Sequence, residues 1–502
     1  MRFSPILIPY SDHPLFGPDH FLSHLSQRRL KGFPLLTKEL QLPKDFFDPQ
    51  GRESRKERES FVVAGQQPLL LGGPIFTVLK AATAVRLASD LAEKHRIKIK
   101  PLFWIASEDH DVFEVCRIKV GGKRYVCSYD GPLKRGQMPC VGSISLINKR
   151  EEIVQFLTEA LPEARWKGWV LEKISSLDFR SYATQFACIL RLLFGDRGLR
   201  TVLPEEIRRG QAEVFARIFQ RWPELQKAFH RGTRRIEEAG FHAPLQRMGI
   251  YEVKNGIRVP ILIDQKQVKL TDRVCSLSEA SRIALSEPER FSPGAALRPI
   301  VQDAALPVAV TVAGPTEALY LWQIRELYEV LEVPPSLIAL RISATFVSGK
   351  DLKKLRQVGI PPEKAFTVSE RLEEWERGSS VEENPHIVEI RKRAEALLSA
   401  IKATGITQSR LQRRIRNLEA TIEKIIDRIY QEEKERQNVA VNRLKALQRK
   451  LLPEGKLQER VVSVVEFLAS YGPQWAFSLC EALDPWSLCH QLVLVSFEEA
   501  QP

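Results

Sequence analysis

The sequence predicts an α/β protein with an open parallel sheet and, in its C-terminal third, an α-helical coiled coil. Two strand-helix-strand segments, at 61–107 and 306–345, predict the sheet, because a helical crossover makes the strands that it joins parallel. A heptad repeat of apolar residues between 387 and 451 predicts the coiled coil. In such sheets ligands bind beyond the carboxyl ends of the strands, so the loops at those ends are the first place to look for a site.

The composition is that of a soluble globular protein with several domains. The 502 residues, 44% hydrophobic and 27% charged, predict roughly two to four units. A net charge of +13 permits an anionic ligand, either a nucleotide or nucleic acid. Seven scattered cysteines without a CxxC pair predict neither disulfides nor a zinc site, which fits a cytoplasmic protein. With no signal-like N-terminus and no long apolar run, no membrane partner is expected.

The first strand-helix-strand unit begins after short helical pieces and a charge-rich loop at 48–59. A strand at 60–64 breaks at Gly65-Gln66-Gln67, and a helix follows Pro74, which suits a first helical position. The next strand, 101–106, ends in Ser107. The loops after these two strands are therefore expected at one edge of the sheet.

Two insertions are expected in this core, at about 116–195 and 206–300. Residues 198–203 between them predict a third strand, and an Asn-Gly pair within 251–259 predicts a hairpin. The sheet is expected to resume at 306–313, followed by a helix and a strand at 337–340. The core with its insertions is thus predicted to span 1–384.

A helical hairpin is predicted at 385–452, where apolar residues recur every three and four positions. Gly405 and a possible N-cap at Thr407 separate a short helix from a much longer one. Since the longer helix exceeds its partner, a second subunit is expected to cover it, which predicts a homodimer. Residues 453–502 are expected to pack back on the core.

The most informative motif is Glu108-Asp109-His110-Asp111, which directly follows the apolar strand with Trp104. One interpretation is a helix N-terminus, where acidic residues are favoured. The other is a general base or a site for a substrate ammonium group, with Glu114 on the same helical face; a divalent metal is a further alternative.

Three further loops are candidates. The glycine-rich turn through Gly73 either cradles phosphate or simply reverses the chain, and Lys80 either balances phosphate or lies at the surface. Gly314-Pro315-Thr316-Glu317 is a helix start at the same predicted edge. Arg341 with Ser343 and Thr345 suits an anion or a structural ion pair, perhaps with Glu317, and Arg298 is a weaker candidate of the same type.

The chain resembles the bacillithiol biosynthesis cysteine-adding enzyme family. The resemblance lies in VVAGQQPLLLGGPIFTVLKA, PLFWIASEDHDVFEV, FSPGAALRPIVQD, TVAGPTEALY, RISATFV and LLPEGKLQERVVSVVEFLASYGP, in family order. Leu69, Thr316 and the pair Cys116-Arg117 depart from the family pattern. The resemblance implies a Rossmann-like core related to nucleotidyltransferases and class I aminoacyl-tRNA synthetases, and a dimerising coiled coil.

The implied reaction joins the carboxyl of L-cysteine to the amine of glucosaminyl-malate. A free carboxylate does not acylate an amine at neutral pH, so ATP is expected to activate it, with Mg²⁺ as a possible companion; no protein-bound metal is predicted. The nucleotide is expected in the crevice or near the coiled coil. The catalytic candidates are His110, Asp109, Glu108 and Asp111, with His110 or Asp109 as the base. Substrate or nucleotide would contact Gly65, Gln66, Gln67, Gly73, Pro74, Lys80, Trp104, Ser107, Glu114, Arg298, Gly314, Pro315, Glu317, Tyr320, Arg341 and Ser343.

Two rival functions share parts of this pattern. A synthetase-like enzyme acting on another small acid or on tRNA would have the same fold, although no basic domain with interleaved aromatic residues favours nucleic acid. A non-enzymatic coiled-coil protein would explain 385–452 but not the polar loops at one sheet edge.

Overall fold

The computed structural model describes residues 2–16, 20–27, 30, 33–38, 59–129, 131, 138–264, 266–377, 385–404 and 409–496. The predicted loop at 48–59 lies outside these residues except for Glu59, as do Gly405 and Thr407. In the described part of the chain, no helix has the length and apolar character that a membrane span requires. The chain divides into two compact units, Met1–Phe346 with Leu457–Pro502, and Val347–Lys456.

The described part of the chain forms seventeen strands and eighteen α-helices. In chain order the strands are β1 (Arg2–Pro9), β2 (Ser60–Gln66), β3 (Ile99–Ile105), β4 (Arg117–Val120), β5 (Lys123–Val126), β6 (Met138–Pro139), β7 (Arg200–Val202), β8 (Ile250–Lys254), β9 (Ile257–Pro260), β10 (Leu262–Ile263), β11 (Gln267–Lys269), β12 (Val274–Ser276), β13 (Phe291–Pro293), β14 (Val308–Ala313), β15 (Leu337–Leu340), β16 (Ser343–Ser348) and β17 (Cys489–Ser496). The α-helices are α1 (Phe21–Ser26), α2 (Phe76–His95), α3 (Val112–Val115), α4 (Arg150–Ala160), α5 (Lys167–Ser175), α6 (Tyr182–Phe194), α7 (Ala212–Gln220), α8 (Trp222–Glu238), α9 (Leu277–Ser286), α10 (Arg298–Ala305), α11 (Pro315–Gln323), α12 (Arg325–Val330), α13 (Gly349–Gln357), α14 (Val368–Arg377), α15 (Pro385–Ala403), α16 (Ser409–Leu451), α17 (Val464–Tyr471) and α18 (Trp475–Ala482).

A five-stranded parallel sheet of order β15-β14-β2-β3-β7 forms the centre of the first unit. Every residue of β14 is buried, as expected for a strand covered on both faces. Helix α2 returns the chain from β2 to β3 and packs on both, with most of its residues buried. The predicted α/β fold with a parallel sheet is confirmed, including its third strand at β7.

The carboxyl ends of β2, β3, β14 and β15 lie at one edge of this sheet. They lead into Gly65-Gln66, Ser107, Gly314 and Arg341, as the crossover rule predicts. The predicted helix after β14 is interrupted at Ile324, so it forms α11 and α12 instead of one helix.

The two insertions meet in a separate antiparallel sheet of order β13-β8-β9-β6. The predicted hairpin is confirmed as β8 and β9, which turn at Asn255-Gly256 with both residues at positive φ. Helices α7, α8 and α9 place this region in an apolar cluster that includes Phe215 and Phe291 and continues into α11 and β15. The hairpin carries side chains to the carboxyl edge of the parallel sheet.

Strands β1 and β17 pair within the first unit. Strand β1 runs antiparallel to β17 from Arg2 opposite Ser496 to Pro9 opposite Cys489. The sequence predicted only short helical pieces before residue 60, because the prolines at 5 and 9 interrupt the apolar pattern of this strand. The C-terminal segment from Leu457 belongs to the first unit.

The second unit begins at Val347, whereas the sequence placed the start of the coiled coil at 385. It contains the expected short and long helices, α15 and α16, but also α13 and α14, which contact α16. Leu444, Leu447 and Leu451 of α16 are buried. The C-terminal part of the long helix therefore has an intrachain partner that the sequence did not predict.

Candidate functional site

A cleft of about 340 Å³ lies at the carboxyl edge of the parallel sheet. Its size is within the range of small-molecule sites. Residues at the ends of β2, β3 and β7 and at the start of α11 form part of the wall, and the second insertion supplies the rest. The lining residues are Gly65, Gln66, Gln67, Trp104, Ala106, Glu108, Asp109, His110, Pro204, Tyr251, Arg258, Pro293, Gly294, Ala295, Arg298, Glu317 and Tyr320.

Asp109 is held at the cleft by three hydrogen bonds. Gln67 donates from Nε2 to its Oδ2 atom at 2.8 Å, which joins the loops after β2 and β3. The backbone amides of His110 and Asp111 donate to Oδ1 at 2.6 and 3.2 Å. The carboxylate is thereby oriented by the sheet edge itself, and it can still accept a proton or a further hydrogen bond.

His110 is half-buried between Tyr251 and Arg258. Nη1 of Arg258 donates to Nδ1 of the imidazole at 3.1 Å, and the ring of Tyr251 lies 5.5 Å away. Because a guanidinium can only donate, Nδ1 must accept, and the neutral ring carries its proton on Nε2. Burial lowers the pKa of His110, and the charge of Arg258 lowers it further.

Glu108 is neutralised by a buried arginine. Arg208, from the 3₁₀ turn Pro204–Gln211, forms an ion pair with Glu108, and Ser292 donates to its Oε2 atom at 3.0 Å. Burial lowers the pKa of Arg208 to about 10, and neighbouring Arg258 lowers it as well. Ser107 donates to Glu205 of the same turn at 2.7 Å.

Lys80 and Glu317 form an ion pair of 2.7 Å that links α2 to α11. Lys80 also donates to the carbonyl of Gly65 and to Oε1 of Gln66, at 2.8 and 2.9 Å. The amide of Gly314 donates to Glu317 at 2.7 Å. Burial lowers the pKa of Lys80, and the Glu317 carboxylate offsets part of this effect. Burial raises the pKa of Glu317, but the charge of Lys80 outweighs burial and brings the pKa below its usual value. Lys80 is thus a buried structural cation instead of a surface lysine.

Two further predicted residues complete the wall between β3 and α11. Arg298 lies 3.2 Å from both Gln302 Oε1 and the hydroxyl of Tyr320. Trp104 is buried under the cleft with its indole packed among the strands of the sheet. Both Arg298 and Trp104 line the cavity.

Arg341 and Ser343 do not reach the cleft. Both are buried and contact Glu459, Arg341 through an ion pair of 2.5 Å and Ser343 through hydrogen bonds of 3.2 Å. Ser343 also lies 2.8 Å from Nδ1 of His490 in β17. The structure therefore contradicts the prediction that Arg341 faces a substrate anion. It supports the alternative, a structural ion pair, although the partner is Glu459 and not Glu317.

The glycine-rich turn is also structural. The carbonyl of Gly73 accepts from the amide of Val464 at 2.9 Å, and Pro74 pairs with Ser463 in an isolated bridge. Gly73 has φ +64°, and a Cβ there would lie 2.5 Å from Leu69. The turn therefore holds the C-terminal segment and does not line the cleft.

The remaining predicted residues are distributed around the cavity. Asp111 caps α3 by accepting from the amide of Glu114 at 2.9 Å, as the helix N-terminus interpretation expects. Asp111, Glu114, Ser107, Gly314 and Pro315 are absent from the cavity wall, while Gly65, Gln66, Gln67, Glu317 and Tyr320 belong to it.

The sequence analysis missed the residues that the second insertion supplies to the cleft wall and to Glu108. Tyr251, Arg258 and Arg208 were not candidates, although the Asn-Gly turn located the hairpin that carries the first two. An arginine or tyrosine in an amphipathic hairpin has no pattern that separates it from a surface residue. Gly294 belongs to FSPGAALRPIVQD, one of the stretches that resemble the family, and this resemblance could have identified it as a site residue.

The side chains of the cleft can bind an anion and move a proton, but they do not form a metal site. Among the described residues, no group of three or more His, Cys, Asp or Glu side chains could hold a metal ion. Arg208 pairs with Glu108, and Lys80 pairs with Oε2 of Glu317. Asp109, His110 and Glu317 line the cavity.

Comparison with protein families identifies the chain. Residues 52–342 match the model "Bacillithiol biosynthesis BshC, N-terminal Rossmann-like domain", and 344–495 match its "C-terminal coiled-coil domain". The chain belongs to the BshC family. Its fold is accordingly a Rossmann-like domain with a coiled coil, and the chain is an enzyme of the ligase class.

Curated BshC relatives align along most of their length. A protein of Salinibacter ruber named "Putative cysteine ligase BshC" is 29% identical over 86% of this chain and 82% of its own. Relatives of the same name from Symbiobacterium thermophilum and Bacillus cytotoxicus are 29% and 24% identical, over 82% and 87% of this chain and 79% and 85% of theirs. A solved Campylobacter jejuni structure described as a "putative arginyl t-RNA synthetase" has 10% identity over 88% of this chain and 98% of its own, with a TM-score of 0.24.

Proposed function

We propose that this BshC chain joins the carboxyl group of L-cysteine to the amine of glucosaminyl-malate and so forms bacillithiol. The observation that supports this most is the pair Asp109 and His110 in the cleft, a carboxylate that can accept a proton beside an imidazole that can donate a hydrogen bond. The relatives' name, cysteine ligase, supports the choice of the acid.

Amide formation requires that the amine loses a proton as it attacks the carbonyl carbon. In this proposal Asp109 takes that proton, because Gln67 and two backbone amides hold it at the sheet edge. The Nε2–H of His110 donates to the oxygen that becomes negative during the attack. Glu317, whose Oε2 is bound by Lys80, is proposed to accept the ammonium group of cysteine.

ATP supplies the activation that a free carboxylate lacks, because it converts the carboxylate into an acyl-adenylate or acyl-phosphate, and AMP or phosphate then leaves the carbonyl carbon as the amide bond forms. The cleft's cationic wall, with Arg258 and Arg298, fits a ligand that carries negative charge. Since the described residues form no metal cluster, Mg²⁺ is proposed to arrive with the phosphates and not as a resident ion. We place the reaction in the cytoplasm, and we propose that the enzyme is a homodimer formed through the second unit.

Mass spectrometry of the reaction mixture tests the proposal. Purified protein is incubated with L-cysteine, glucosaminyl-malate, ATP and Mg²⁺, and each component is omitted in turn. Bacillithiol in the complete mixture alone supports the ligase and the role of ATP. Product without ATP would contradict the activation step, and no product from folded protein with intact substrates would contradict the choice of acid or amine.

A further inference from the structure

Arg258 is a buried cation that lines the cleft without a carboxylate partner. It is 7% exposed, and its guanidinium donates to Nδ1 of His110 and to the carbonyl of Pro293. Neither acceptor carries a negative charge. No carboxylate of the described residues forms an ion pair with it, whereas Arg208 close by is paired with Glu108. The charge of Asp109 acts on Arg258 from beyond ion-pair distance, but burial outweighs it and lowers the pKa of Arg258. A buried charge without a paired counter-ion is costly, so this arrangement favours an anion in the cleft.

Two buried donors beside the cavity lack an acceptor. Within the described chain, Nε of Arg258 and Nε1 of Trp104 have no hydrogen-bond partner. Both residues line the cavity, and Trp104 is 1% exposed. Buried polar groups are nearly always paired, so a ligand that enters the cleft is expected to supply acceptor oxygens.

The plane of the guanidinium is fixed. Arg258 lies over the ring of Tyr251, with 3.9 Å between its Cζ atom and the ring centroid. The hydrogen bonds from its two terminal nitrogens to His110 and Pro293 hold the guanidinium in the same plane. A flat, preoriented guanidinium recognises a carboxylate through parallel hydrogen bonds, which a lysine cannot reproduce.

We infer that Arg258 binds a carboxylate of the acceptor substrate, one that takes no part in the new amide bond, with Trp104 as a second donor. The inference rests on the proposed function for the identity of that acceptor, whose malyl group carries two such carboxylates. An arginine on the carboxylate that must be activated would stabilise the ground state of the reaction. The unreacting carboxylates are therefore the better ligands.

Isothermal titration with L-malate alone tests this inference without requiring any reaction. We compare wild type with R258K, R258Q and W104F; the control is R231Q, because Arg231 is an exposed arginine that pairs with Glu326 outside the cleft. We expect about 10- to 100-fold weaker malate binding in both Arg258 variants, a smaller loss in W104F, and unchanged binding in R231Q. Thermal unfolding of each variant verifies that it is folded.

The outcomes separate this inference from the proposed function. Arg258-dependent binding of malate supports the inference even if no bacillithiol forms. If wild type does not bind malate, or if folded R258K and R258Q bind it as tightly as wild type, the inference is wrong. Inorganic phosphate and AMP are titrated in parallel to identify another source of the anion. If the Arg258 variants lose the binding of phosphate or AMP but retain the binding of malate, the carboxylate assignment is wrong. In the complete reaction, R258K should raise KM for the acceptor and leave KM for cysteine unchanged.

Discussion

Nη1 of Arg258 lies 3.1 Å from Nδ1 of His110, although 148 residues separate them in the chain. The contact fixes which imidazole nitrogen is free, because Arg258 has no lone pair to offer and Nδ1 must therefore accept. His110 then presents Nε2–H and cannot easily take a proton. Of the two bases that the sequence analysis left open, the contact favours Asp109.

The first prediction concerns the role of His110. We expect H110A to lower kcat by about 10²- to 10³-fold, the usual loss when a donor to a developing oxyanion is removed. H110Q should retain most of the activity, because the glutamine amide also carries an N–H donor. Initial rates of bacillithiol formation measure both. Equal inactivation of H110Q and H110A would show that the imidazole acts as the base.

The pH dependence follows from the same contact. Burial, and then the charge of Arg258, place the pKa of His110 below its ordinary 6.5. The neutral ring therefore persists as pH falls below 6.5, and the contribution of His110 to the rate should be lost only when Nδ1 is protonated and the bond from Arg258 is broken. In H110Q that loss should be absent, and the remaining decline at lower pH follows the carboxylates. The same decline at low pH in H110Q and in wild type would contradict the assignment.

The second prediction separates Asp109 from Asp111. D109N should lower kcat by about 10²- to 10⁴-fold, because the amide cannot take the proton of the attacking amine. D111N should stay close to wild type, since asparagine caps a helix about as well as aspartate and Asp111 does not line the cleft. Steady-state kinetics of the two folded variants measure these changes in kcat. Similar losses of kcat in D109N and D111N would show that the assignment of the base to Asp109 is wrong.

The contact between Gln67 and Asp109 shows what the sequence could predict. Each follows an apolar run that reads as a buried strand, and a helical crossover between the runs makes the strands parallel. Local patterns and one topological rule therefore suffice to place both at one edge. The same reasoning predicted the positions of Glu108 and Glu317 but not their neutralisation by Arg208 and Lys80.

Contacts that depend on the insertions could not be predicted. Arg258 reaches His110 from a hairpin that is held by an apolar cluster shared between its insertion, α11 and β15. Arg341 follows a strand end as a ligand-binding arginine would, yet its partner Glu459 lies 118 residues further along the chain. Nothing in the local pattern distinguishes an arginine that awaits a substrate from one that already has a buried partner.

The third prediction tests the structural role of Arg341. The side chains of Arg341 and Glu459 are 4% and 0% exposed, so E459Q leaves a buried arginine without its counter-ion. We expect a loss of about 3–5 kcal/mol in the free energy of unfolding, measured by urea denaturation. KM values of the folded enzyme should not change, because neither residue lines the cleft.

The control for this prediction is E163Q. Glu163 pairs with Lys167 on the surface, so its substitution should leave the unfolding midpoint unchanged. If E459Q is as stable as wild type but has a raised KM for either substrate, Arg341 contacts substrate after all, and its structural interpretation fails.

The fourth prediction concerns the proposed homodimer. Within the second unit, Leu418 and Ile425 of α16 are 41% and 54% exposed and lie seven residues apart, as do the exposed Ile390 and Leu397 of α15. Apolar residues at heptad spacing on the same helix share a face, and they are usually covered by another helix. A second copy of α15 and α16 could supply that cover.

Light scattering after size-exclusion chromatography tests this arrangement. We expect wild type at twice the chain mass of 57.3 kDa, and the double variant L418E/I425E at the mass of one chain, because two charges replace the apolar face. K424E, which alters an exposed residue between them, should remain dimeric. Monomeric L418E/I425E should keep its activity per chain, since every cleft residue belongs to the first unit. A monomeric wild type, or a dimeric L418E/I425E, would show that this face is not the interface.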